Sequence, residues 1–229
     1  CEQVAQHVAE RWADRLPDLM AACTVTKPFA PDAQQAGLRA LGAAALGLHS
    51  RLDGGAAAQA QFDTADNMTL QLSALTCLIR SGQDKDALRV FEAQWSHDRL
   101  VMDKWFAMQI AATLPDRVVP RTDRLTAHPA FDLTNPNRFR SVLGALAMNH
   151  AGFHRADGAG YTLLADWIIK LDAKNPQSAA RICTPFQTWR RYDTARQGLM
   201  TKALQRIAQA DGLSRDTQEM VDRMLGTPA

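Results

Sequence analysis

No apolar run in this sequence of 229 residues approaches the roughly 18 residues that a membrane-crossing helix requires, and no charged-then-apolar leader opens it. Charge of one sign is also scarce. A net charge of +2 is too small to argue for a nucleic-acid or membrane partner. The four cysteines, Cys1, Cys23, Cys77 and Cys183, lie far apart with no Cys-x-x-Cys pair. That pattern fits reduced thiols better than a disulfide framework and predicts a reducing, cytoplasmic setting. Sustained alternation of β-branched and aromatic residues is missing, so no strand is expected. Chemical motifs are missing as well: there is no Gly-rich phosphate loop behind a strand, no Gly-x-Ser-x-Gly, no His-Glu-x-x-His and no cysteine with an assignable histidine. By its residue chemistry the chain is a scaffold without a complete active site.

What is present is amphipathic helix. Hydrophobic residues make up 46% of the chain and charged residues 22%, a globular balance. The sequence starts at Cys1 with no Met and enters a helical pattern at once, which predicts a piece of a longer protein. Val4, Val8, Trp12, Leu16 and Leu19 form a first stripe, and Pro17 is expected to kink or end that helix. Leu38, Leu41, Ala45 and Leu48 form a second. Met68, Leu72, Leu75 and Ile79 follow the capping candidates Asp66 and Asn67. Leu88, Phe91 and Trp95 mark a further helix, and Val101, Trp105, Met108 and Ala112 another. Pro115 and Pro120 read as brackets of a break, with a short helix after them to about His128. Trp95, Trp105 and Trp167 fall on apolar stripes and are expected in the core. Asp193 and Ser214 read as caps of the last two helices. Helices recur about 15–20 residues apart, so a pair spans the roughly 30–40 residues of helical repeats. The expected fold is all-α: a superhelical array of stacked antiparallel helix pairs, a HEAT/armadillo-like solenoid.

Two Asn-Pro steps stand out, Asn135-Pro136 and Asn175-Pro176. Asn can cap the first free N–H groups of a helix, and Pro at the first helical position loses nothing. After Pro136, Phe139, Val142, Leu143 and Leu146 form one apolar stripe; Asn137, Arg140, Ser141 and Gly144 fall opposite. After Pro176, Gln177 and Arg181 are four apart and share a face. Each segment thus offers a guanidinium beside an amide, a candidate surface for an anion or carbonyl group. Two solvated helix faces would have the same spacing. His150 and His154 are also four apart, the spacing of a zinc pair. Gly152 lies between them and no third ligand can be named, so a hydrogen-bonded structural histidine is the expectation. Trp189-Arg190-Arg191-Tyr192 could stack on a base, or the arginine stems could cover the rings.

Several strings carry a family likeness: Leu100-Val-Met-Asp-Lys-Trp-Phe106, Asn135-Pro-Asn-Arg-Phe-Arg-Ser141, Phe153-His154 with Asp157-Gly-Ala-Gly-Tyr161, Asn175-Pro-Gln with Ala180-Arg181, and Arg191-Tyr-Asp193 with Arg196-Gln197. Together with Asn67-Met-Thr69 they resemble the C-terminal domain of bacterial aminopeptidase N, the alanyl aminopeptidases of the zinc gluzincin class. The likeness covers most of residues 33–229, with 1–32 matching more loosely; Ala159 and Leu146 stand where the family often has Ser and an aromatic. The resemblance implies that residues 1–229 are a single all-helical C-terminal domain of a larger enzyme that removes N-terminal residues from peptides. It implies one zinc held by a domain absent here, with no metal and no catalytic residue in this chain. It also implies partners, namely the catalytic domain of the same chain and a peptide substrate, and no nucleic acid or membrane. Carried over by motif, Arg140, Gln177 and Arg181, with Asn137 beside them, would wall the chamber that peptides enter. The competing expectation is a free-standing α-solenoid that binds another protein along one face.

Overall fold

The computed structural model describes residues 2–226, and Cys1 lies outside them. The described residues form helices and turns with no strand. They fall into two compact units, Cys1–Asp98 and Arg99–Ala229.

The first unit holds α1 (Glu2–Arg11), α2 (Leu16–Ala22), α3 (Ala33–His49), α4 (Ala56–Thr64), α5 (Met68–Ser81) and α6 (Lys85–Trp95). Its helices begin where short polar side chains can take up free amides. Asp32 accepts from the Gln35 amide at the start of α3, and Asn67 accepts from Leu70 at the start of α5. Gly82, at φ +78°, ends α5 in the left-handed conformation that only glycine adopts cheaply. α2 packs on α3 and α4 on α5, burying Leu16, Leu46, Phe62, Leu75 and Leu78. The α1 expectation is overturned here. Val4, Val8 and Trp12 are 66%, 37% and 47% exposed, and the buried residue of α1 is Ala9. Small side chains bring α1 onto α3, and Glu2 pairs with Arg51 and Arg80. Leu41 is likewise exposed rather than part of the α3 stripe, and Trp95 is only partly buried.

The second unit holds α7 (Arg99–Ala111), α8 (Val118–Thr126), α9 (Pro136–Phe139), a π turn (Arg140–Gly144), α10 (Ala145–Met148), α11 (His150–Phe153), α12 (Ala159–Asp172), α13 (Pro176–Ile182), two short 3₁₀ turns, α14 (Thr194–Ala208) and α15 (Arg215–Leu225). Asn135, Asn175, Asp193 and Ser214 each accept a hydrogen bond from a first-turn amide, as their sequence contexts predict. Phe139, Val142, Leu143 and Leu146 are all buried. Pro120 does not close a break. It is the third residue of α8, among the first-turn positions whose amides have no helical partner. Trp105 is buried as expected, and Trp167 is partly buried, with its ring against Phe131 and under Lys170. Around these helices α12 is central, packing on α13 and α14, and α15 closes on α13 and α14.

Candidate functional site

The helix opened by Asn135 is not regular. The Asn135 Oδ1 accepts from the amides of Asn137 and Arg138, and α9 then widens into the π turn at Arg140–Gly144. Such one-turn π segments recur at functional sites. At this one, Arg140 leaves the helix surface held at two points: its Nε donates to the Pro136 carbonyl at 3.2 Å, and its Nη2 donates to Asn137 Oδ1 at 2.7 Å. Asn137 therefore steadies Arg140 and is absent from the lining of the two spaces that Arg140 borders. Asn175 caps α13 through the Ser178 amide at 3.0 Å, which sets Gln177 and Arg181 on the outer face of that helix.

Arg140, Gln177 and Arg181 line one cavity of about 320 Å³, floored by Phe139, Leu171 and Ile182. Arg140 and Arg181 also edge a neighbouring groove of about 970 Å³ whose wall is largely apolar, with Ala107, Met108, Met148 and Pro185 in it. Lys104 stands on its rim. No carboxylate lines either space among the described residues. Arg181 thus keeps its planar donor fork, and Arg140 the donors that Pro136 and Asn137 leave over, for a carboxylate or a carbonyl from outside.

The string just before Arg140 contains a second arginine with a different job. Arg138 is buried, its Nε donates to Asp103 Oδ1 at 2.6 Å, its Nη1 donates to the Ala130 carbonyl, and its guanidinium lies over the Phe106 ring. Sequence reasoning passes it over. Its signal lies in two strings read separately, since Asp103 stands in Leu100–Phe106 and Arg138 in Asn135–Ser141.

His154 closes the other end of the groove. Its Nδ1 is 2.9 Å from the Tyr161 hydroxyl and its Nε2 is 2.8 Å from the Tyr192 hydroxyl. A neutral imidazole donates from one nitrogen and accepts at the other, so one tyrosine accepts and the other donates. Burial, then His150 and Arg196, push the His154 pKa down to about 4, and burial pushes Tyr161 up to about 12. The His150 ring stacks on His154 at 6.1 Å, and both His154 nitrogens are already engaged, which is the structural histidine the sequence predicts. Arg196 ties the same cluster together, donating to the His154 carbonyl and to Asp193. Among the described residues no group of three His, Cys, Asp or Glu side chains could hold a metal. The Arg190 guanidinium lies over the Trp189 ring at 4.3 Å, and the indole N–H donates to the Met224 carbonyl, in line with an arginine covering that ring.

A protein family described as "Domain of unknown function (DUF3458_C) ARM repeats" matches residues 1–226. Over 231 residues the chain is 37% identical to aminopeptidase N of Caulobacter vibrioides, covering 98% of this chain and 27% of that protein. It is 42% identical over 172 residues to aminopeptidase N of Haemophilus influenzae, covering 73% of this chain and 19% of the relative. A crystal structure of Legionella pneumophila aminopeptidase A in complex with aspartic acid superimposes with a TM-score of 0.89 at 30% identity, over 99% of this chain and 28% of that one. The matched stretches make up 19% to 28% of these relatives, so the chain spans little more than a quarter of their length.

Proposed function

Because this chain belongs to the DUF3458_C family of ARM-repeat domains, and its relatives are aminopeptidases several times its length, we propose that residues 1–229 are the C-terminal domain of a zinc-dependent aminopeptidase. In this reading the domain performs no bond breaking. It walls the space into which peptides enter, and Arg140, Gln177 and Arg181 hold a peptide there while its N-terminus reaches a zinc bound elsewhere in the parent protein. The observation that carries the reading is the convergence of two arginines and a glutamine on one cavity with no acid in its lining among the described residues. The geometry suits a peptide's C-terminal carboxylate on the guanidiniums, its backbone carbonyls on the Gln177 amide, and its apolar side chains along Met108 and Met148.

The catalytic domain of the same parent chain is the expected partner, and Val4 and Val8 on α1, with Trp12 just past its end, offer an apolar face for it. Zinc would be held there and not by this domain, so the isolated chain is expected to leave alanyl substrates uncut with or without added zinc. Cys23, Cys77 and Cys183 are free and buried, which suits a reducing, cytoplasmic setting.

A contact between arginine and carboxylate that forms equally in substrate complex and transition state acts on binding. Arg140→Ala or Arg181→Ala in the intact parent should therefore raise KM for tripeptides and longer peptides roughly 10- to 100-fold, the scale of a charge-assisted hydrogen bond, with kcat little changed. Aminoacyl anilides, which have no C-terminal carboxylate, should be cut as before. Equal turnover of peptides of every length by wild type and variants would sink the proposal.

A further inference from the structure

The first unit contains a separate cavity, also of about 320 Å³, enclosed by α2, α3, the end of α4 and the start of α5. Its lining includes Arg39, which is only 7% exposed. Burying a guanidinium is costly unless an anion accompanies it. Arg39 has hydrogen-bond partners but no counter-ion among the described residues. Its Nη1 donates to Gln35 Oε1 at 3.0 Å, its Nη2 donates to the Ala30 carbonyl at 2.9 Å, and its guanidinium lies 4.5 Å from the centre of the Phe29 ring. All of these partners are neutral. The one carboxylate in the lining, Asp66, makes no ion pair with Arg39 or with Lys27, and its Oδ1 accepts from the Asn67 side-chain amide at 2.7 Å.

The guanidinium is held in a fixed plane. Gln35 accepts from the Ala30 amide and donates to the Pro28 carbonyl, so α3 and the loop before it clamp Arg39 from both sides. Two of its five N–H donors are engaged by Gln35 and Ala30, and the rest have no protein partner among the described residues. Lys27 adds a second cation to the same lining, and the volume lies at the lower end of the ~300–1,000 Å³ of small-molecule sites.

From these observations we propose that the Arg39 cavity binds a small oxyanion, the carboxylate of a compact acid or a phosphate group, in the fork of Arg39 with Lys27 closing over it. The site is independent of the peptide-holding role of Arg140 and Arg181, and it lies wholly within the first unit.

The test is calorimetric titration of the full chain, at constant ionic strength, with sodium succinate in one arm and inorganic phosphate in the other, sodium chloride serving as blank. Saturable binding of either anion is expected, and the arm that saturates at the lower concentration identifies the class. Arg39→Gln should weaken that binding at least ~10-fold, as loss of a charge-assisted fork predicts. Lys27→Gln, at an exposed position that folding does not need, should weaken it about threefold. With the backbone amides followed by NMR, the shifts should gather on Thr24, Gly42 and Leu70. Binding that never saturates, or that is equally strong in Lys27→Gln and wild type with shifts away from those amides, would overturn the proposal even if Arg39→Gln failed to fold.

Discussion

His154 shows how a single side chain can make this domain sensitive to acid. Its folded pKa of about 4 lies below the ordinary value of 6.5, chiefly because burial disfavours the imidazolium. The unfolded chain therefore takes up the proton first as pH falls. The stability this histidine contributes is complete above about pH 6.5 and is lost progressively down to about pH 4. Since the ring is partly exposed, solvent screening holds the effect to ~1–2 kcal/mol. Urea unfolding at pH 7 and pH 4.5 should show wild type losing that much more than His154→Gln between the two conditions. A variant with the same pH slope as wild type would show that the tyrosine cage leaves the histidine free to ionise. Cys183 carries no such switch: burial, with Asp172 adding to it, pushes its thiol up to about 12, so it stays protonated across this range.

At the scale of the element, the joints between helices carry more information than the helices themselves. Asp172, at the end of α12, is buried and accepts from the Ser214 amide and hydroxyl and from the Thr217 hydroxyl, each at 2.6 Å. One carboxylate thus anchors the start of α15. Asp172→Ala leaves those donors buried without an acceptor and should cost about 3 kcal/mol, with Asp172→Asn, which keeps one acceptor oxygen, losing less. The reverse order in chemical denaturation would count against the anchor. Gly160 marks a second joint, because a Cβ there would sit 2.7 Å from the Phe153 carbonyl oxygen and 3.0 Å from its Cα. Backbone cannot step aside as a flexible side chain can, so Gly160→Ala should destabilise by ~2–3 kcal/mol and loosen α12 from α11. A measured change under ~0.5 kcal/mol would mean that the two helices part freely. How far such features are legible in the sequence varies with their range. The caps at Asn67, Asn135, Asn175, Asp193 and Ser214 are readable because each acts within three residues of itself. The convergence of Arg140 with Arg181 joins two distant positions of the chain, which periodicity can only make possible, and the π turn that aims Arg140 has no spacing signature at all. Arg138 is illegible for the same reason, its partner Asp103 lying 35 residues away.

For the whole molecule, the instructive misreading is α1. Val4, Val8 and Trp12 have the spacing of a buried stripe, yet this chain buries Ala9 on the neighbouring face. Periodicity reports that a face is apolar and is silent about which surface covers it. The relatives are roughly four times the length of this chain, so the covering surface can belong to the rest of a parent protein. That placement has a thermodynamic signature. In the isolated chain Val4 is mostly in water while Val8 and Trp12 keep 37% and 47% of their surface exposed, so changing all three residues to serine should lower the unfolding free energy by only about 1–2 kcal/mol. In the intact parent, with the catalytic domain docked on this face as proposed, the same change would remove apolar area taken out of water. At about 25 cal/mol per Å² this should cost ~3 kcal/mol or more of the stability of this domain against the rest, visible as early release in urea or limited proteolysis. The difference between the two contexts is the informative quantity, because it cancels any helix-propensity effect of serine within α1. Equal effects in chain and parent would leave the stripe facing solvent in both, and the partner surface would have to be sought elsewhere on the first unit.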